Sequence, residues 1–419
     1  MLVIEKDKKT RTAVICPIDR TDQNVISNDD IQKRLFEAEG LVLAMGQTAV
    51  FCEAIRFSKI VAGTFFGKGT IARLKEKCTA YEAELLVVDQ PLSPVQQRNL
   101  EKELQLKVID RTAVILEIFG RRAQTKEGKL QVELAHLTYQ RGRLVRSWTH
   151  LERQRGGGGF LGGPGETQIE LDRRHIDERI LKIKKELEKV KKTRSIQRSA
   201  RVKVPYPTAA LVGYTNAGKS TLFNSITKAE VFAKDMLFAT LDPTMRKVSL
   251  GQGTDIILSD TVGFISNLPH ELVMAFRATL EEVLQAEVIL HVIDVSNPSY
   301  KEQRDDVISV LHELGLEKIE SAANYIEVFN KADLLSESER KHLYERLNDR
   351  QISVSALSGE GIDKLLNILR LKLKRDTVET EVVVSVDDGK KIAEIYRTAE
   401  VLKRVDKEDK ILFKIRRQE

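Results

Sequence analysis

The sequence is poor in cysteine, with three residues (Cys16, Cys52 and Cys78) among 419. They stand far apart and form no C-x-x-C pair. That excludes a disulfide framework and a cysteine zinc site, and it fits a reducing compartment. No run of about 20 apolar residues occurs, so no membrane-spanning helix is expected. The opening MLVIEKDKKTR turns charged after four residues and lacks a signal-peptide pattern. The seven histidines are scattered and show no metal-ligand spacing. These absences predict a soluble cytoplasmic protein without integral membrane insertion.

What is present is length and charge. At roughly 100–200 residues per domain, the chain has room for two to four units. Hydrophobic residues are 42% of it, enough for sizeable cores, and charged residues are 31%. The net charge of +6 is mild. It fits an anionic partner and a plain solvated surface equally well.

The predicted organisation is α/β in four parts. Residues 1–125 form an N-terminal α/β unit. Its expected strands are TAVICPI, LVLAMG, AVFCEAI, ELLVVD and TAVILEIF, with helices at IARLKEKCTAYEA and PVQQRNLEKELQL. Residues 126–204 change period. Leu130, Leu134, Leu137, Leu144, Trp148 and Leu151 follow heptad spacing, broken at Arg141, and Ile169, Ile176, Ile180, Ile183, Leu187 and Val190 resume it. Two seams around a glycine-rich loop (156–168) predict an antiparallel helical hairpin; two amphipathic helices packed separately on the α/β unit are the alternative. Pro205 and Pro207 mark a boundary. Residues 205–375 alternate six strands with helices, as a doubly wound sheet does. Residues 376–419 read as a small β-α-β-β domain of α+β type.

The strongest chemical signal is Gly213-Tyr214-Thr215-Asn216-Ala217-Gly218-Lys219-Ser220, followed by Thr221. It matches G-x-x-x-x-G-K-[ST] between an expected strand and helix, the context a phosphate loop requires. Its glycines let backbone N–H groups turn inward onto phosphate oxygens, and the helix N-terminus adds favourable partial charge. Lys219 is expected on the outer phosphates and the Ser220 hydroxyl on Mg²⁺.

Asn330-Lys331-Ala332-Asp333 closes the strand YIEVF as an N-K-x-D base-reading element does. The Asp333 carboxylate suits guanine N1–H and the 2-amino group, which adenine does not offer. Ser355-Ala356-Leu357 matches the element whose amide supports guanine O6. Asp260-Thr261-Val262-Gly263 ends another strand; Asp260 is expected to hold Mg²⁺ through water and the Gly263 N–H to meet the γ-phosphate. Within Phe238-Ala239-Thr240-Leu-Asp-Pro-Thr244, either Thr240 or Thr244 supplies a further Mg²⁺ ligand, with Thr240 preferred. Lys219, Gly263 and Asn216 are the candidate catalytic residues.

Phe264 follows Gly263, where many GTPases carry a water-orienting glutamine, and phenylalanine has no polar group for that task. Related GTPases of this kind often use an asparagine at the place of Asn216 to help hold K⁺ beside the phosphates. K⁺ stimulation is therefore a candidate property, against a reading in which Asn216 only shapes the loop.

The segment Gly156-Gly-Gly-Gly-Phe-Leu-Gly-Gly-Pro-Gly-Glu-Thr-Gln168 resembles the hallmark of the HflX family of translation-associated GTPases. Thr64–Thr70 (TFFGKGT), GYTNAGKSTLFN, FATLDPT and DTVGFI are also similar to that family's elements, and the resemblance covers nearly the whole chain. It implies an N-terminal HflX domain, a helical hairpin, a GTPase domain and a small C-terminal domain. It further implies GTP hydrolysis, binding to the large (50S) ribosomal subunit and its RNA, and splitting of stalled or inactive ribosomes. Arg153 and Arg155 before Gly156, Gly157, Gly158 and Gly159 are the candidate RNA contacts, since glycine admits close approach and arginine pairs with phosphate or stacks on bases. The basic run from Lys182 to Lys203 is a second candidate. Some members of the family bind ATP through the N-terminal domain. Gly67-Lys68-Gly69 here lacks full loop spacing and reads better as a strand–helix turn. The expected partners are GTP, GDP and the 50S subunit, with no DNA, and a monomer is expected. Two other readings stay open: a regulatory GTPase docking a protein partner, and an ATP-dependent RNA-remodelling factor acting through the N-terminal domain.

Overall fold

The computed structural model describes residues 9–20, 27–154, 164–201, 206–228, 237–238, 240–241, 243–251, 254–266, 282–316, 319–373, 377–407 and 409–418. The N-terminal part runs β1 (Arg11–Asp19), α1 (Asn28–Ala44), β2 (Thr48–Phe57), α2 (Lys68–Ala80), β3 (Leu85–Val88), α3 (Pro94–Leu104), β4 (Lys107–Asp110) and α4 (Arg111–Arg122). Its four strands form a parallel sheet in the order β2-β1-β3-β4. Local chemistry sets the helix starts. Ser93 accepts from the Gln96 amide at 3.2 Å while the Gln96 side chain accepts from the Ser93 amide at 2.8 Å, a reciprocal cap before Pro94.

Two expected strands are helical. Leu41–Ala44 end α1, and Met45 and Gly46 form the turn after it. The run Thr112–Phe119 lies in α4, where Val114, Ile115, Ile118 and Phe119 are buried at helical spacing. Asp110 caps α4, accepting from the Ala113 amide at 2.9 Å. The fourth strand is instead the short Lys107–Asp110. Unbroken apolar runs do not separate a buried strand from a buried helix.

Helices α5 (Lys126–Gln154) and α6 (Pro164–Arg201) follow. Ion pairs Arg141–Asp177 and Arg179–Glu133 climb one helix while descending the other, so the two run antiparallel. Ile180 and Ile183 of the predicted stripe are buried. The second half of the predicted loop is helical, because α6 already begins at Pro164. Arg155, Gly156, Gly157, Gly158 and Gly159 lie outside the described residues, as does the side chain of Arg153.

The next sheet has six strands: β5 (Thr208–Gly213), β6 (Thr244–Ser249), β7 (Asp255–Asp260), β8 (Val288–Asp294), β9 (Tyr325–Asn330) and β10 (Gln351–Ser353). Their order is β10-β9-β8-β5-β7-β6. All neighbours are parallel except β6, which runs antiparallel on β7 at the edge. Helices α7 (Lys219–Thr227), α8 (Tyr300–Glu313), α9 (Glu337–Arg346) and α10 (Ile362–Leu373) wrap it. Residues 267–281, between β7 and β8, lie outside the described residues. The C-terminal part, β11 (Thr377–Ser385), α11 (Gly389–Thr398), β12 (Glu400–Lys407) and β13 (Lys410–Gln418), is an antiparallel sheet ordered β11-β13-β12. Val384, Ile395, Phe413 and Ile415 form its small core.

One apolar core crosses from the first part into the six-stranded part. Val114, Ile118 and Phe119 of α4 join Phe238, Val262, Phe264 and Ile265 in it. Phe119 and Phe238 meet edge to face, with centroids 4.7 Å apart. Burying a side chain of this size is worth about 2 kcal/mol. Among the described residues no helix is long and apolar enough to cross a membrane.

Candidate active site

The site forms along one edge of the six-stranded sheet, at the ends of the neighbouring strands β7, β5, β8 and β9. After β5 the chain turns through Gly213–Gly218 into α7. Gly218 caps that helix with φ +90°, and an added Cβ would strike the side-chain amide of Asn330. Both the left-handed backbone and the close approach demand glycine. Asn216, exposed at the loop's apex, is also left-handed, with φ 61°. Lys219 is buried, and its Nζ donates to the carbonyls of Gly213 (3.0 Å) and Tyr214 (2.8 Å). Burial lowers its pKa to about 8, against the opposing pull of Asp260. The Thr215 amide donates to the Phe264 carbonyl at 2.7 Å and the Phe264 amide to the Gly213 carbonyl at 3.1 Å. The loop and the segment after β7 are thus laced together. Gly263 sits in that lacing; a Cβ there would come 3.0 Å from Lys219 Nζ and from Thr215.

Three oxygen-bearing side chains converge beside Lys219. Ser220 Oγ donates to Asp260 Oδ2 at 2.7 Å and lies 2.8 Å from Thr240 Oγ1, which donates to the same carboxylate oxygen at 3.1 Å. Asp260 Oδ1 is buried without a partner among the described residues. Burial pushes the Asp260 carboxyl up, and the hydroxyls and Lys219 pull it down. Two hydroxyls and a carboxylate with a spare oxygen suit a hard divalent cation such as Mg²⁺. Thr244 instead sits in β6, paired across from Asp260 in the strand ladder. Among the described residues no group of three or more His, Cys, Asp or Glu is placed to hold a metal ion.

On the opposite wall, Asn330 Nδ2 donates to the Ala217 carbonyl at 2.9 Å and its Oδ1 accepts from the Ala356 amide at 3.0 Å. One side chain therefore locks the phosphate loop to both base-reading segments. Lys331 is left-handed (φ 62°), and its Nζ pairs with Asp294 at 2.7 Å. Asp333 lies half-buried in a 3-10 turn, Ala332–Leu334. Ser355 is buried and its Oγ accepts from the Ser358 amide, while Leu357 is exposed. Thr221 lies in α7, and Thr261 Oγ1 donates to the Leu211 carbonyl at 2.6 Å. Val262 and Phe238 are buried, and Ala239 lies outside the described residues.

Asp294 escaped the sequence reading, although its place at the end of β8 was a signal. So did Glu37 and Arg111, which reach this site from α1 and α4 of the N-terminal part. Glu37 Oε2 accepts from Tyr214 OH at 2.6 Å. Nothing in spacing announces a contact across 177 positions.

A glycine-and-lysine loop at a helix start, a carboxylate-hydroxyl cluster beside it and an N-K-x-D turn define a P-loop GTP-binding protein. Comparison with known proteins agrees and is finer. Family models match a GTP-binding GTPase N-terminal region (residues 32–120), a GTP-binding GTPase middle region (122–201), a 50S ribosome-binding GTPase (208–331) and an HflX C-terminal domain (342–417). A GTPase HflX of Magnetococcus marinus is 50% identical over 386 residues, covering 92% of this chain and 88% of that one. That of Escherichia coli is 42% identical over 392 residues, covering 91% and 89%. A GTP-binding protein of Sulfolobus solfataricus solved with GDP is similar at a TM-score of 0.44 and 23% identity, covering 87% of this chain and 99% of that one. The chain belongs to the HflX family of GTPases, and its reaction is hydrolysis of GTP to GDP and phosphate.

Proposed function

We propose that the protein is a cytoplasmic, monomeric switch that binds the large ribosomal subunit in its GTP state and promotes splitting of stalled or inactive ribosomes. The observation that carries the nucleotide half is the convergence of Ser220, Thr240 and Asp260 beside Lys219. The ribosomal half is supported by the match of residues 208–331 to a 50S ribosome-binding GTPase. Arg153, Arg155 and Gly156–Gly159 are the proposed RNA contacts, joined by the basic run of α6.

In the proposed reaction the amides of residues 213–220 cradle the phosphates. The Lys219 amine leaves the Gly213 and Tyr214 carbonyls for phosphate oxygens. Ser220, Thr240 and, through water, Asp260 would hold Mg²⁺, which supplies charge neutralisation at the phosphates when bound. Asp333 reads the guanine edge and the Ala356 amide supports its carbonyl. Phe264 is 1% exposed and has no polar atom with which to orient water. Positioning and charge therefore carry hydrolysis, and Asn216 is the proposed K⁺ ligand; equal turnover in Na⁺ and K⁺ buffers removes that role.

Co-sedimentation with purified 50S and 70S particles tests the ribosomal reading. Binding should be stronger with a non-hydrolysable GTP analogue than with GDP, and binding that ignores the nucleotide defeats it.

A further inference from the structure

Four side chains, from α1, α4 and the segments that follow β5 and β7, close a ring of hydrogen bonds behind the phosphate loop. Arg111, the first residue of α4, is 4% exposed. Its Nη1 donates to Asp89 Oδ1 at 2.6 Å. Its Nη2 donates to Glu37 Oε1 at 2.5 Å and to the carbonyl and hydroxyl of Ser266 at 3.0 and 3.2 Å. Ser266 in turn donates its amide to Tyr214 OH at 2.8 Å and its hydroxyl to Glu37 Oε1 at 3.1 Å, and Tyr214 OH closes the ring on Glu37. Tyr214 is the second residue of the phosphate loop, and Ser266 is three positions past Gly263.

The residue before Arg111 reaches the other way. Asp110 is 1% exposed. Besides capping α4, it accepts from Tyr139 OH at 2.8 Å and from Arg143 at 3.1 Å, both on α5, and from the Leu92 amide at 3.2 Å. Arg143 also holds Gln97. Two adjacent residues thus grip the middle of α5 and the segment beyond Gly263.

We infer that Arg111, although outside the GTPase sheet, is a positioning residue for the GTP site, and that the Asp110–Arg111 pair couples the first hairpin helix, at mid-α5, to the segment after Gly263. The physics is that of a buried charged network. Breaking one bond leaves the half-buried carboxylate of Glu37 or Asp89 beside a partner that no longer reaches it, so intermediate geometries are costly and the ring is made or broken as a unit. A nucleotide that prefers one arrangement of Gly263–Ser266 then prefers one arrangement of α4 and of α5 anchored on it. By linkage, whatever holds the hairpin changes nucleotide preference by the same factor. The inference rests on the reading that places Gly263 at the γ-phosphate, and it holds whatever partner the hairpin meets.

The test uses the full chain and compares affinity for GDP with that for a non-hydrolysable GTP analogue, alongside kcat, KM and Tm. Glu37→Gln and Tyr139→Phe each remove one link without touching nucleotide. Each should shift the GTP-analogue to GDP affinity ratio about 5-fold or more. Combining either with Ser266→Ala should shift it no further than the larger single change, because one chain of contacts is already cut. Arg111→Lys keeps the charge but not the forked reach to Asp89, Glu37 and Ser266 together, and should shift the ratio too. A lowered Tm with an unmoved ratio makes the ring structural only and overturns the proposal. Effects that multiply in the pairs overturn it as well, and an unmoved ratio in Tyr139→Phe alone removes the hairpin arm. Failure of the Gly263 reading looks different: the unaltered chain would then bind GDP and the analogue alike.

Discussion

The two helix-wrapped sheets of this protein, one parallel and one parallel but for its edge strand, are built alike and finished oppositely. Where β5 ends, the chain turns on glycines, and α7 starts at Gly218 with no side chain on its first amides. Where β4 ends, Asp110 turns its own carboxylate onto the first turn of α4. The first arrangement leaves amides and a lysine for a phosphate; the second has already filled that place with an anion of its own. Asp89 at the end of β3 adds another carboxylate, with its pKa raised by burial and pulled down by Arg111. The lesson is that the wrapping of helices around a parallel sheet provides an edge, and the residues at the edge decide whether it takes a ligand or another part of the chain. In this molecule the second edge takes the first. Only α2, which starts at Gly67 without a side-chain cap, departs from that rule in the first sheet.

Lys219→Ala gives the largest expected effect. GTP turnover should fall on the order of 10²-fold or more, the scale for losing a group that stabilises transition-state charge. ATP turnover, if the chain has any, should vanish with it. ATP hydrolysis that survives would place a second phosphate site at the α2 start and break the comparison. Arg111→Met should cost about 3 kcal/mol in denaturant unfolding, because Glu37 and Asp89, 21% and 12% exposed, are left without their cation. A cost under about 1 kcal/mol would mean that this edge is wetter than its burial indicates.

A pH profile probes the centre of the GTPase sheet. His291 on β8 is buried, its Nδ1 lies 2.6 Å from Tyr325 OH, and burial lowers its pKa to about 3. Between about pH 3 and 6.5 the unfolded chain binds a proton that the folded chain refuses. Stability therefore falls as pH drops through that window, by up to about 1.4 kcal/mol per pH unit from this one group. His291→Gln should flatten the acid limb of the unfolding midpoint; an unchanged slope assigns the acid sensitivity elsewhere. The smallest effect is expected away from both edges. Arg141 and Asp177 are 44% and 38% exposed, so Arg141→Ala should change stability by less than about 1 kcal/mol. A larger loss would show the hairpin depending on surface charge as well as on Ile180 and Ile183.

The nucleotide pocket was legible because its chemistry is local. Gly213–Ser220, Asp260–Gly263, Asn330–Asp333 and Ser355–Leu357 each act within a few residues, and each sits at a strand end that apolar runs reveal. The strands of the GTPase sheet were readable for the same reason. Leu41–Ala44 and Thr112–Phe119 were misread because burial on all sides erases the period that separates helix from strand. The ring around Arg111 was invisible for a third reason. Its bonds join positions 155, 177 and 229 apart, and no local pattern encodes a partner at that distance.

Helix α6 spans 38 residues, or about 57 Å at 1.5 Å per residue. That is longer than a small domain is wide. Its described grips on α5, the pairs Arg141–Asp177 and Arg179–Glu133 and the buried Ile180 and Ile183, lie near its middle, so each arm beyond them is a lever. From Asp177 to Pro164 is about 20 Å, and a tilt of about 5° at the grip carries that tip through about 2 Å. Slight angular changes at the grip thus become displacements longer than a covalent bond where α5 and α6 meet.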